Sequence, residues 1–389
     1  MSTPSVGANQ PGGGDGVDAP YNRRIRFGDW TPVQDGEGSR ILYFYQGEAV
    51  GNRMSSVRGA IVHVRESWGN YAMLMNELRR LLQEGVQEPL PSEDAQQLED
   101  VLASVKEWID RRAGPAQEEE DYNVVRLYTS TFGYRLIFKI TDIIIRTDTG
   151  ITQRQEELNS AVFLLELLNV DLFNYVSVTQ PADDFQGVVF RALPASEEQL
   201  QSFRELATKP ISERDWAIPL TVISTSRNQD VAMDYAKAEV ARLPERQLFL
   251  WRIHVVGLDA ELLRVYRERY PTSVVSTICA VPIDELSPFP EEEEVILRGP
   301  FFQLVQMQEE VLEGVGRVYV MDSVTVNVNR DHPSTMELGE DGNGARELIS
   351  TLVSMARTKA CQGLAEGYGL VADAESYQRL YEEMVERLG

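Results

Sequence analysis

Apolar positions change period along this chain, and the changes divide it. Between residues 23 and 112 a strand-like run, Arg40–Gln46, is followed by helical spacing. Leu74, Leu78, Leu81 and Leu82 share one helix face. Leu98, Val101, Leu102, Val105 and Ile109 share another, on a helix that starts behind Pro91-Ser92. From Val124 to about Val170 the helical period returns, with Val162, Leu165 and Leu168 in step. At Gly187 the pattern switches to short β-branched and aromatic runs. Val188–Arg191, Pro219–Ser224, Leu248–Val255, Ser273–Val281, Glu293–Leu297, Phe301–Met307 and Arg317–Asn327 are predicted as strands. Two short helices are expected to close the chain, the last with Tyr377, Tyr381, Met384 and Leu388 on one stripe, a pattern of packing or of partner binding.

Helices followed by strands imply an α+β domain with antiparallel pairing, rather than a doubly wound parallel sheet. The polar positions supply the punctuation. Residues 1–22, rich in glycine and proline, read as a disordered tail, and 23–112 as a small, mainly helical module of no assigned function. Residues 113–121, from Ala113-Gly114-Pro115 into Glu118-Glu119-Glu120-Asp121, read as a linker. The main domain is expected over 122–329, a flexible link over 330–344, and terminal helices over 345–389.

Composition narrows the function classes. The 389 residues are 43% hydrophobic, enough for a substantial core, and carry a net charge of −24. That charge argues against nucleic acid or an anionic membrane as the main partner, since phosphate binding needs clustered lysine and arginine. No apolar stretch approaches the roughly 20 residues of a membrane helix. Three histidines (His63, His254, His332) and two distant cysteines (Cys279, Cys361) form no metal-ligand spacing, so no metal is expected. With no apolar leader and two unpaired cysteines, a cytoplasmic location is expected. Export by a non-classical route stays open. His254 reads as a satisfied sheet histidine, and Cys361 as a buried packing residue.

Three segments could carry chemistry. Pro290-Glu291-Glu292-Glu293-Glu294 leads directly into Val295-Ile296-Leu297. A solvated acidic loop is one reading. In an extended strand, however, Glu292 and Glu294 would project to the same side, roughly 6.5–7 Å apart. Like charges that close raise each other's proton affinity, and a carboxylate pair suits chemistry passing through an oxocarbenium ion. Glu291 and Glu293 form the alternative pair. The second segment, Thr221-Val222-Ile223-Ser224-Thr225-Ser226, is a strand ending in three hydroxyl residues, which is also how a plain strand terminus looks. The third, Val188-Val189-Phe190-Arg191-Ala192, puts an arginine behind three apolar strand residues. It is either an edge residue whose head reaches water or a phosphate clamp.

Taken in order, Arg191, Ser224-Thr225-Ser226 and Glu292-x-Glu294 resemble the arginine-specific mono-ADP-ribosyltransferases of the Arg-Ser-Glu class. Tyr128-Thr129, Ala232, Tyr235 and Ser287-x-x-Pro290 agree with that pattern, and the resemblance covers about residues 122–328. It implies a split β-sandwich of two small antiparallel sheets with a helical lead-in, and NAD⁺ as co-substrate in the cleft. By position it implies Arg191 at the pyrophosphate and nicotinamide-side ribose, Ser224 orienting the carboxylate, Glu294 as catalytic glutamate, and Glu292 as the glutamate that goes with an arginine acceptor. Ala192, Thr225 and Ser226 are carried over as binding positions. The family usually has glycine where Ala192 stands, with backbone groups that bind the nicotinamide amide. The implied activity is transfer of ADP-ribose to a protein arginine. An NAD⁺ glycohydrolase and a degenerate NAD-binding interaction module are the alternatives.

Overall fold

A computed structural model describes residues 123–129, 185–217, 222–243, 245–273, 279–298, 301–328 and 341–388, together with scattered positions between 76 and 277. The tail, most of the N-terminal module and the linker lie outside the described residues. Asn76, Gln96, Glu99, Asp100 and Ala103 are helical and exposed there, and the leucine positions of that module are not among those described.

Helix α1, Asn123–Thr129, buries Val124, Val125 and Tyr128. Its first N–H groups, which have no partner within the helix, are met from a distance: Asp171 Oδ2 accepts from Val124 N at 2.8 Å. Leu165 and Leu168, two of the three residues behind the helical reading of that region, are buried and helical.

Among the described residues eight strands follow: β1 Gly187–Ala195, β2 Asp215–Ala217, β3 Val222–Ser226, β4 Gln247–Val256, β5 Ala280–Pro282, β6 Glu294–Arg298, β7 Phe301–Leu312 and β8 Gly316–Val326. They run in the order β2-β7-β8-β4-β1-β3-β6-β5. All pairings are antiparallel except β4 with β8, which is parallel, because the chain reaches β8 only after a long excursion through β5, β6 and β7. The sheet is nearly divided. β1 pairs with β4 along its whole length but touches β3 at one position, Phe190 opposite Ser226. Two parts, β2-β7-β8-β4-β1 and β3-β6-β5, therefore meet at a single rung. The α+β class with largely antiparallel sheets holds.

Helices do not simply precede strands, as the sequence pattern suggested. Helices α2 Glu197–Thr208, α3 Gln229–Val240 and α4 Ala260–Arg269 alternate with them. α2 begins with a reciprocal capping box between Ser196 and Gln199, and α4 with Asp259, whose carboxylate accepts from Leu262 N. Two strand expectations also change. Of Ser273–Val281, residues 273, 275, 277 and 279 are not strand and the strand is Ala280–Pro282; the chain turns after α4, where Ser273 N bonds Tyr270 O and the Ser273 hydroxyl meets Tyr266 OH at 2.7 Å. β2 had no sequence signal beyond Trp216, being three residues long.

Alternation along each strand sends side chains to two faces. One face holds an aromatic cluster, Phe203 of α2 with Trp216, Phe249, Trp251 and Phe302, in edge-on and stacked contacts from 4.3 to 6.3 Å between centroids. The other receives α3 through Met233, and the terminal helices α5 Asp341–Gly367 and α6 Val371–Leu388. α5 is 27 residues long rather than short, and it starts at Asp341, inside the segment expected to be a link. It ends where Gly369, at φ +72°, lets Leu370 N reach Ala365 O and its own N–H reach Glu366 O. The stripe on α6 is intramolecular: Tyr377 is buried, and Tyr381, Met384 and Leu388 pack beside α5. Cys361 of α5 is fully buried, which pushes its thiol up to about 12. Among the described residues no helix is long and apolar enough to cross a membrane.

Candidate functional site

The site forms where the two parts of the sheet separate. Past Phe190 the β1–β3 ladder stops, and the next residue, Arg191, sends its guanidinium across the gap to donate from Nη1 to Ser224 O at 2.7 Å. That bond uses one of five N–H donors. On β3 and β6 the register sets Ser226 opposite Glu294 and Ser224 opposite Ile296, so Ser224, Ser226 and Glu294 lie on one face. The Ser224 hydroxyl donates to Glu294 Oε1 at 2.5 Å. Residues far apart in sequence thus meet through Ser224, whose backbone oxygen serves Arg191 and whose side chain serves Glu294.

Glu294 is 6% exposed. Burial pushes its carboxyl up to about 7. The Ser224 bond and the Arg191 charge oppose that rise, and the nearby Glu292 charge adds to it. The sign for stability follows. Between about pH 4.5, the ordinary glutamate value, and pH 7 the native chain holds a proton that the unfolded chain has released. Stability is therefore lost as pH rises through that window, and the loss levels off above it. The variant Glu294→Gln does not titrate, so its stability relative to wild type should grow from pH 5 to pH 7 in urea denaturation. Parallel pH curves for the two proteins would show that Glu294 ionises normally.

Glu292 arrives by a route that differs from the sequence expectation. It is not on a strand. Pro290–Glu292 form a 3₁₀ turn, Glu293 is left-handed at φ 46°, ψ 49°, and only Glu294 begins β6. Alternation along a strand therefore does not explain the pair, although Glu292 does lie close enough to Glu294 to raise its proton affinity. Pro290 at the first turn position starts the 3₁₀ turn, and the left-handed residue, unfavourable for a side chain, redirects the main chain into the strand. Arg227 braces that bend. Its N–H donates to Glu293 O at 3.1 Å, Nη2 meets Asp284 Oδ2 at 2.9 Å, and Nε lies 3.5 Å from Glu293 Oε2. The alternative pair is not assembled: Glu291 is exposed, and Glu293 turns to Arg227.

The remaining expected binding positions have structural partners. The Thr225 hydroxyl donates to Val295 O at 2.6 Å. That of Ser226 donates to Glu292 O at 2.6 Å and accepts from Asn228 N at 2.9 Å. Ala192 packs against the cluster formed by Met233, Leu250, Val318 and Val320, on the strand face opposite Arg191. Sequence reasoning did not single out Arg227, and noted Tyr235 only as agreeing with the resemblance, without a role; its hydroxyl donates to Glu292 Oε1 at 2.5 Å. Their positions directly behind the hydroxyl triplet and on the helix that follows it were the available signal.

His254 proves to be a sheet histidine with a partner: Nε2 lies 3.3 Å from Asp322 Oδ1. Among the described residues no group of three histidine, cysteine or carboxylate side chains could hold a metal ion.

No family model matches this chain, and no curated protein matches it. Similarity is found among solved structures, at low identity. The ADP-ribosyltransferase Vis of Vibrio splendidus, in complex with agmatine, is 13% identical over 63% of this chain and 90% of its own, with a TM-score of 0.35. The ADP-ribosyltransferase HopU1 of Pseudomonas syringae pv. tomato DC3000 is 14% identical over 52% and 76%, with a TM-score of 0.31. The type III effector XopAI of Xanthomonas axonopodis pv. citri is 9% identical over 74% and 96%, with a TM-score of 0.37. Likenesses this distant carry no function from one chain to another.

Proposed function

We propose that this chain is a mono-ADP-ribosyltransferase that cleaves the nicotinamide–ribose bond of NAD⁺ and moves ADP-ribose onto a protein arginine. One observation carries the reading: Arg191, Ser224 and Glu294 are joined by direct hydrogen bonds at the single rung where the sheet divides. As nicotinamide leaves, positive charge builds on the ribose C1′–O4′ unit. A fixed carboxylate in a shielded position stabilises that charge far better than water does, because its dielectric surroundings are low and it needs no reorganisation. Glu294 is such a group, buried and held by Ser224. Arg191 supplies a planar donor array for the diphosphate, which suits bidentate contact.

The acceptor needs a second carboxylate. A target guanidinium is protonated at neutral pH and is a poor nucleophile until a base takes its proton. Glu292, half-buried beside Glu294, has the chemistry to align that group and to receive the proton. Attack opposite the leaving group makes the reaction inverting, so β-NAD⁺ gives an α-linked product.

The deciding experiment incubates the purified chain with NAD⁺ and agmatine, following nicotinamide release and ADP-ribosyl-agmatine together. Both should form. Nicotinamide without modified agmatine would leave hydrolysis as the activity, and neither product would leave a binding module. In the same assay Glu292→Ala should lower transfer to agmatine about 100-fold, within the usual range for a general base. Hydrolysis should fall by less than about tenfold, since water competes for the same oxocarbenium ion without Glu292. Parallel loss of the two activities would remove Glu292 from the acceptor step.

A further inference from the structure

Glu292 is held at two points by one scaffold. The Ser226 hydroxyl grips its main-chain oxygen at 2.6 Å, and the Tyr235 hydroxyl donates to its carboxylate Oε1 at 2.5 Å. Ser226 is the last residue of β3, and Tyr235 lies on α3, which follows after Arg227 and Asn228. The strand that carries Ser224 and the helix behind it therefore fix both the backbone and the side chain of Glu292. Tyr235 is 60% exposed, so its ring adds little to the core. Without that bond, a glutamate at the end of a 3₁₀ turn would spread over several rotamers, since a long side chain has much rotamer freedom to lose.

We propose that Tyr235 is a positioning residue whose hydroxyl holds the Glu292 carboxylate in the rotamer that receives an acceptor guanidinium, so favouring arginine over water. The inference rests on the function proposed above and deepens it. A phenol is a neutral donor. It occupies one acceptor site of a carboxylate that offers about four, and it leaves the negative charge for an incoming guanidinium. A lysine or arginine in its place would satisfy that charge and compete with the acceptor.

The test uses Tyr235→Phe, which keeps the ring and removes the hydroxyl, in the full chain. Nicotinamide release without acceptor reports cleavage, and ADP-ribosyl-agmatine reports transfer. The ratio of transfer to hydrolysis should fall roughly tenfold, the size of one hydrogen bond to a charged group. The loss should appear in kcat/KM for agmatine, while KM for NAD⁺ stays within about twofold. In a Glu292→Ala background the same change should leave that ratio unaltered, because the carboxylate that the hydroxyl positions is then gone. A purely structural role would instead lower both activities together and shift the thermal midpoint. An unchanged ratio in Tyr235→Phe, a parallel loss of both activities, or an undiminished effect in the Glu292→Ala background overturns the proposal. A wild-type chain inert toward NAD⁺ overturns the underlying function first, and is distinguished by the absence of nicotinamide release.

Discussion

Replacing Glu294 by glutamine is expected to lower NAD⁺ cleavage about 1,000-fold while NAD⁺ affinity changes by only a few-fold. The substitution keeps shape, burial and a hydrogen-bonding oxygen for Ser224, and removes only the charge. The dinucleotide in its ground state carries no developing cation for that charge to meet, whereas the transition state does. An interaction made mainly in the transition state appears in kcat rather than in binding. Removal of one preorganised electrostatic partner from a shielded site typically costs about 100- to 1,000-fold, and a full charge belongs at the upper end. Single-turnover nicotinamide release and calorimetric titration with NAD⁺ separate the two quantities. Turnover within tenfold of wild type would remove Glu294 from the chemistry, and loss of binding in step with rate would make it a ligand-holding residue instead.

The second large effect concerns stability and lies away from the site. Asp322→Ala should destabilise the protein by about 3 kcal/mol, the low end of the loss seen when one partner of a buried ion pair is removed. Asp322 on β8 is fully buried. Arg252 Nη1 lies 3.3 Å and 3.4 Å from its two oxygens, His254 Nε2 3.3 Å from one, and Gln306 Nε2 donates to the other at 3.1 Å. Burial by itself would raise the proton affinity of this carboxyl. The bonds from His254, Gln306 and Tyr368 and the charge of Arg252 together outweigh it, and hold Asp322 below the ordinary aspartate range. Alanine would leave Arg252 with Glu310, at 3.4 Å, and Tyr368, and would free donors from β4, β7 and the turn between α5 and α6. For a domain of this size the thermal midpoint should drop by roughly 6–12 °C. A change below about 1 kcal/mol would mean that the cluster is solvated and contributes little to the fold.

Much of the fold was legible because short β-branched runs and their turns are local signals. The centres of β1, β4, β6, β7 and β8 were all anticipated; most ends agree to within one residue, but β1 runs on to Ala195 and β7 to Leu312. What escaped notice depended on partners. β2 is a strand only because β7 lies beside it. The parallel pairing of β4 and β8 follows from the path of the chain between them. The bulge between Leu304 and Gln306, which sets Gln306 opposite Asp322, has no pattern of its own in the sequence. Asp322 itself reads as a polar interruption in an apolar strand until Arg252, His254 and Gln306 are seen around it.

The site divides in the same way. Residue order along the chain determined which side chains are available: an arginine at the end of an apolar run, three hydroxyls at the end of another, and four glutamates ahead of a third. Those choices are local, so they can be read without coordinates. Which glutamates converge, and how, was decided by tertiary structure. The left-handed bend at Glu293, the Arg227 brace and the Tyr235 bond replace the simple alternation that an extended strand would have given. Hydrogen bonds across dozens of residues and the burial that shifts Glu294 exist only once the strands have paired, because both depend on neighbours that no sequence window contains.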